Sequence, residues 1–550
     1  KVVGGYHGAS MAGISVVWHF NLAEGLKQSV GCREESKVVG GYHVASMAGS
    51  SSTNIRTDLQ RFTAGYDPKK WSGYVRADKI DTSGNILPDP GWGVVSGSTH
   101  KTTANKLDLR DISTRVILTT NDDTNQGVSF EWEAGTTKLS TTQKALLDGG
   151  SLGEKRTNFI RGERTYEEGT VSKPFRVRDS RQGDIGNSSI WYVDKPASNY
   201  SFKGYKSFVS THKNRLPMVY VGGNDGMLHG FSGVDGEEQI AYIPKAVVPE
   251  LAKLSEPGYV HRYYVDGSPF TGDANLADSA SPPDWRTLLV GTLGAGGKGY
   301  FVLDVTQPGG KSGTPATTFA TVNAKDLVVM DKTLHPSAPL TAGSDDEDIG
   351  HIFHPPVMDD NNPFKASQVA MMNDNRWAVI MGNGYNSKNE RPVLLIQYLD
   401  GLKELVKIVA TGNQKISSPI NTTLDTNVIA NGLSAPKPVD INSDGKVDIV
   451  YAGDLKGNLW KFDLTSPNAS VWSVAAWGST DATPCAWKTS ICKPLFTAEY
   501  SGKRQPITAP PTVKANDRGA GGMMVAFGTG ANLTDNDRSS TEVQSVYSIL

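Results

Sequence analysis

The segment Asp440-Ile441-Asn442-Ser443-Asp444-Gly445-Lys446-Val447-Asp448 sets three carboxylates and one amide at alternate positions. A loop that curls about a point aims alternate side chains inward. Hard oxygen donors at that spacing suit Ca²⁺, which accepts six to eight oxygens in flexible geometry. Asp440, Asn442, Asp444 and Asp448 are the side-chain donors, and Lys446 supplies a backbone carbonyl. Gly445 stands where such a loop turns sharply. The loop departs from an EF-hand, because its twelfth position is Tyr451 rather than a bidentate glutamate. Pro436 and Pro438 forbid an entering helix, and Ile449-Val450-Tyr451-Ala452-Gly453 follows as a β-prone run. The expectation is therefore a calcium loop that feeds a strand, closed by Asp448. The plain alternative is an Asx- and Gly-rich surface turn without metal.

Strands of the same kind recur along the chain. Met218–Val221 is followed by Gly-Gly-Asn-Asp-Gly and then Met227–Phe231. The pattern returns at Leu288–Gly291 with Tyr300–Val305, at Trp377–Gly384 with Val393–Ile396, and at Ile449–Asp454 with Gly457–Asp463. It returns again at Met524–Gly530 with Val546–Ile549. Each unit is an apolar strand ending in glycine, a tight turn and a returning strand. Repeated antiparallel units bury one another's faces when set radially. This predicts an all-β fold, a β-propeller with long irregular insertions; a sandwich of unrelated hairpins is the competing arrangement.

The rest of the chain divides around this repeat. Residues 1–13 and 37–49 are near-copies that differ at Gly8 and Val44, a local duplication with no assigned role. Residues 1–110 form an N-terminal region of unclear fold, and 50–110 read as irregular, polar chain. Residues 111–190 form a β-rich segment leading into the propeller, with a strand beginning near Arg115, an alternating strand at Val128–Trp132 and a helical patch at Thr141–Leu147. Residues 191–550 form the propeller.

Composition narrows the function. A net charge of −2 in 550 residues gives no footprint for nucleic acid. No apolar run approaches the ~20 residues of a spanning helix. Of three cysteines, Cys485 and Cys492 enclose a short loop and are expected to form a disulfide, which implies an oxidising compartment; two reduced thiols are the alternative.

These residues resemble the PilC/PilY family of type IV pilus biogenesis factors and tip-associated adhesins. The resemblance is carried by VYVGGNDGMLHGF at 219–231, VDGSPFTGDA at 265–274, DINSDGKVDIVYAGDLKGNLWKFDL at 440–464 and FGTGANLTDND at 527–537. RQGDIGNSS at 181–189 adds to it. The resemblance spans roughly 110 to 550. It implies a modified β-propeller of quinoprotein-dehydrogenase shape with an EF-hand-like calcium loop. It further implies Asp440, Asn442, Asp444, the Lys446 carbonyl and Asp448 as ligands, with Asn442 standing where the family often has aspartate. It implies support of pilus assembly against retraction, twitching motility and host-cell attachment. The implied partners are type IV pilins or minor pilins and a host-cell surface receptor. The implied location is the pilus tip and cell surface of a Gram-negative bacterium, reached through the periplasm, with peripheral association with the outer membrane.

An enzyme is not expected. A quinoprotein-like dehydrogenase, the alternative function, needs a central catalytic aspartate, for which Asp225, Asp266 and Asp454 are placed after strands. All three sit in Gly-rich turns, where aspartate has an ordinary hydrogen-bonding role. The run Asp345-Asp346-Glu347-Asp348, followed by His351 and His354, reads as a solvated loop, since adjacent residues cannot all face one ion.

Overall fold

The computed structural model describes residues 50–550, apart from 56–59, 82, 96–98, 150, 278–280, 309–317, 336–343, 361, 363–364, 411–430, 476–492 and 517–521. The described chain is mostly strands, gathered chiefly into six successive sheets. The first sheet is the meander Ser50–Ile55, Gln60–Asp67, Ser72–Ile80 and Ile86–Pro88. The second runs Trp191–Val193, Met218–Gly222, Leu228–Ser232, Glu238–Ile243, and is widened by Ile117–Asn121 and Gln126–Ser129. The third is Phe270–Asn275, Trp285–Thr292, Tyr300–Asp304 and Val328–Asp331. The fourth is Val369–Met372, Trp377–Gly382, Val393–Tyr398 and Leu405–Val409. The fifth holds Lys437–Val439, Ile449–Gly453, Asn458–Asp463 and Ser473–Val474, with Phe496–Thr497 beside Asn458–Asp463. The sixth is Thr512–Ala515, Met523–Gly528 and Val546–Ile549.

All five hairpins read from the sequence pair as antiparallel neighbours, for example Met218↔Ser232 through Gly222↔Leu228 and Ile449↔Asp463 through Gly453↔Leu459. Side chains alternate across a strand, so each strand feeds two neighbouring interfaces. Val219 and Val221 pack toward the first sheet, with Phe62, Ala64, Val75 and Ala77. Met218 and Tyr220, one residue out of phase, join the core shared with the third and fourth sheets. Ala378 and Ile380 meet Val450 and Ala452 between the fourth and fifth sheets, whereas Ile449 and Tyr451 meet Val525 and Phe527 of the sixth. Successive sheets thus stack face to face as blades, and both faces of a blade strand are dry. That is why these strands read as apolar runs rather than as clean alternation. Gln126–Ser129 shows the same effect: Val128, Ser129 and Phe130 are all buried, against the alternating pattern expected there.

The first sheet overturns the reading of 50–110 as irregular chain. Its strands carry few apolar residues, and Phe62, Ala64, Val75 and Ala77 among them are buried because another blade covers them. A seven-residue helix, Thr103–Leu109, follows, closed by a capping box between Thr102 and Asn105. The expected helix at Thr141–Leu147 is present, with Ser140 rather than the first threonines as its N-cap. Helices Gly153–Arg161 and Tyr205–His212 are not expected from the sequence; Tyr205 and Phe208 of the latter pack on Trp285 of the third sheet. Among the described residues no helix is long and apolar enough to cross a membrane.

Candidate functional site

The 440–448 loop leaves Lys437–Val439 and returns as Ile449–Gly453 of the fifth blade. Two left-handed residues make the turn, Ser443 at φ 62° and Gly445 at φ 87°. Gly445 also rests on an aromatic ring: a Cβ there would lie 2.9 Å from Phe202 Cζ. Phe202 in turn packs edge-on against Trp377 of the fourth blade, with centroids 5.8 Å apart. Lys446–Val447 pairs in parallel with Met371–Met372, so the end of the loop adds a strand to the fourth blade. The loop is therefore stitched to both blades at their seam.

Each predicted side-chain ligand lies in this loop and serves its backbone. Asp440 accepts the Ser443 N–H at 2.6 Å and the Gly445 N–H at 2.8 Å. Asn442 Oδ1 accepts the Asp444 N–H at 2.9 Å, and Asp444 Oδ1 accepts the Lys446 N–H at 2.9 Å. Asp448 differs from the others because it is buried. Its Oδ2 accepts the Ile441 N–H at 2.9 Å, closing the loop, and its Oδ1 accepts from Asn373 Nδ2 at 3.0 Å. The same Asn373 amide reaches the Val447 and Leu464 carbonyls. Sequence reasoning missed Asn373, which lies far away in the chain and arrives only through blade packing.

The donor chemistry fits a hard cation. The side chains are carboxylate and amide oxygens, exposed at Asn442 and Asp444 and buried at Asp448, and a carboxylate offers about four lone-pair sites, of which these bonds use one or two. In the geometry described, the carboxylates face the loop's own N–H groups. Among the described residues no three His, Cys, Asp or Glu side chains are gathered closely enough to hold a metal ion. Cys485 and Cys492, the expected disulfide, lie outside the described residues, as does the near-repeat at 1–13 and 37–49.

The aspartates after the blade strands hold turns. Asp454 accepts the Lys456 and Asn458 N–H groups, Asn431 Nδ2 and the Trp460 indole. Asp225 accepts the Gly183 N–H at 2.8 Å and faces His229 Nε2 at 2.9 Å. His229 Nδ1 meets Glu238 at 2.8 Å, and Glu238 is clamped by both Nε and Nη2 of Arg115. Burial works against the charged imidazole, but Asp225 and Glu238 outweigh it and raise its pKa to about 9.

The acidic run at 345–348 corrects its expectation of a solvated loop. It forms a short 3₁₀ turn whose last member, Asp348, is fully buried. Arg391, Lys407 and Asn389 surround that carboxylate at 2.8–2.9 Å. Against the cost of burial they hold its pKa down at about 2. His351 donates from Nδ1 to the Gly294 carbonyl, 2.8 Å away, rather than joining the acids.

Stacked antiparallel blades with a seam loop define a modified β-propeller. The family profile described as the PilY1 beta-propeller domain matches residues 182–332 and 356–550, so the chain belongs to that family. A relative from Xylella fastidiosa, a type IV pilus biogenesis factor PilY1 homologue, is 36% identical over 422 residues, covering 75% of this chain and 28% of the relative. The type IV pilus biogenesis factor PilY1 of Pseudomonas aeruginosa strain PAK is 36% identical over 420 residues, covering 72% of this chain and 30% of its own length. The crystal structure of the Pseudomonas aeruginosa PilY1 C-terminal domain is 32% identical and covers 65% of this chain and 63% of that one, with a TM-score of 0.46. The chain spans under a third of the length of these curated relatives.

Proposed function

We propose that this chain is the propeller part of a type IV pilus biogenesis factor, a binding and assembly module rather than an enzyme. It supports pilus assembly against retraction, and with it twitching motility and attachment to host cells. Its partners are type IV pilins or minor pilins and a host-cell surface receptor. It acts at the pilus tip and the outer membrane, after passage through the periplasm. The observation that carries this reading is the family match over most of the blades, together with relatives named as pilus biogenesis factors.

In this reading Ca²⁺ binds the 440–448 loop. Asp440, Asn442, Asp444, Asp448 and the Lys446 carbonyl would hold it, and the ion would supply charge that fixes the loop. The residues themselves supply the coupling. Asp448 and Asn373 tie the loop to the fourth blade, so a stiffer loop means a stiffer seam and a fixed neighbouring surface. Asp444→Ala removes an exposed ligand without breaking a buried bond, and calorimetric titration of this variant is expected to lose tight Ca²⁺ uptake. An unchanged titration removes the metal from the reading. If uptake is lost while pili still extend and retract normally, the ion is a staple and not a regulator.

A further inference from the structure

The turn between Val369–Met372 and Trp377–Gly382 of the fourth blade carries Asn373 to the end of the 440–448 loop. Three oxygens meet its Nδ2: Asp448 Oδ1 at 3.0 Å, the Val447 carbonyl at 3.0 Å and the Leu464 carbonyl at 2.9 Å. Three acceptors around one atom mark that atom as the amide nitrogen, a donor that cannot itself ligate a cation. A carboxylate oxygen and two carbonyl oxygens repel one another unless a donor stands between them. Asp448 is only 3% exposed, so water is a poor substitute for that donor.

Both partners are held before they meet. In the turn that presents Asn373, the Asn375 N–H donates to the Met372 carbonyl at 2.9 Å. Asp374 Oδ1 accepts the Arg376 N–H at 3.2 Å, and its Oδ2 accepts from the Tyr398 hydroxyl. The Arg376 guanidinium lies 3.7 Å from the centre of the Tyr398 ring and pairs with Asp400. On the other side the Asp448 main chain is fixed in the fifth blade. Its N–H donates to the Val439 carbonyl at 3.0 Å, and its carbonyl accepts the Leu464 N–H at 2.8 Å. What remains to be set is the rotation of the carboxylate. Two bonds set it: Asn373 takes Oδ1, and the Ile441 N–H inside the loop takes Oδ2. One oxygen of Asp448 thus belongs to the seam between the blades, and the other is turned to the loop.

We propose that Asn373 is a positioning residue for a cation at the 440–448 loop: through the Asp448 carboxylate, the fourth blade sets the affinity of a site whose ligands all belong to the fifth. This rests on the reading that the loop takes Ca²⁺. Hydrogen-bond partners of metal-ligating side chains are typically worth about 10–100-fold in metal affinity. The test is calorimetric titration of the metal-free full chain with Ca²⁺, combined with hydrogen exchange read at single amides. Asn373→Ala is expected to weaken Ca²⁺ uptake about tenfold or more. The Asp448 and Leu464 amides, which belong to the sheet, are expected to keep their protection from exchange in the metal-free variant. Weaker uptake together with loss of that protection would mean that Asn373 merely holds the sheet, and overturns the proposal. If the unaltered chain takes up Ca²⁺ and Asn373→Ala matches it, the positioning role alone falls. If the unaltered chain takes up none, the reading of the loop falls and the positioning role with it. Should Asn373→Ala not fold, Asn373→Ser is read in the same way, since its hydroxyl stops one bond short of the amide nitrogen.

Discussion

Asp266 is a carboxylate stripped of water and given no cation among the described residues. Its two oxygens take the backbone N–H and the side-chain amide of Asn187, at 3.0 and 2.7 Å. Burial raises its pKa to about 7, and the charge of Asp184 adds to the shift. The sign follows from linkage: the folded value lies above the unfolded one, near 4, so the unfolded chain gives up its proton first. The contribution of Asp266 to stability is whole below about pH 4 and drains away as pH rises toward about 7. His229, raised to about 9, adds a second loss between about pH 6.5 and 9. The thermal midpoint of the chain is expected to fall from about pH 5 to 9. Asp266→Asn should raise the midpoint by about 2 °C or more at pH 8 and leave it nearly unchanged at pH 4. An equal shift at both values would show that ionisation of Asp266 is not the cause.

At the scale of elements, the blades depend on glycines that sit opposite rings. Gly291 pairs with Phe301 in the third blade, and a Cβ on it would lie 2.2 Å from the ring. Gly291→Ala is therefore expected to cost about 1–3 kcal/mol through overpacking, measured by denaturant unfolding. Gly258 has open space around it and serves as the control; Gly258→Ala should change stability by no more than about 0.5 kcal/mol. The 440–448 loop obeys the same rule, since Gly445 combines a positive φ with contact against Phe202.

For the molecule as a whole, the first sheet is structural cover. It shields Val219, Val221, Phe231, Ile185 and Ile190 with Phe62, Val75 and Trp92. The row of blades also turns back toward itself: burial raises the pKa of Tyr263, after the second blade, and the charge of Arg538, on the short helix Asp535–Arg538 between two strands of the sixth sheet, works against that rise. Removing residues 1–110 should bare an apolar blade face. Increased binding of a hydrophobic dye and faster proteolysis of the second blade are the expected readouts; a truncated chain that matches the full one in both would mean that this face needs no cover.

The amino-acid order alone determined the five hairpins, the blade class and the position of the 440–448 loop, because each is written in local terms. Glycine ends a strand, a turn of glycine and asparagine reverses it, and carboxylates alternate over nine residues. Tertiary structure alone decided the rest. The strands at 60–80 are too polar to declare themselves and exist because another blade covers them. Asp348, one of four consecutive acids, went inward because Arg391 and Lys407 converge on it from 43 and 59 residues away. Asn373 reached Asp448, 75 residues away, in the same way. Burial and long-range pairing depend on what lies across an interface, and no window of sequence contains both sides of one.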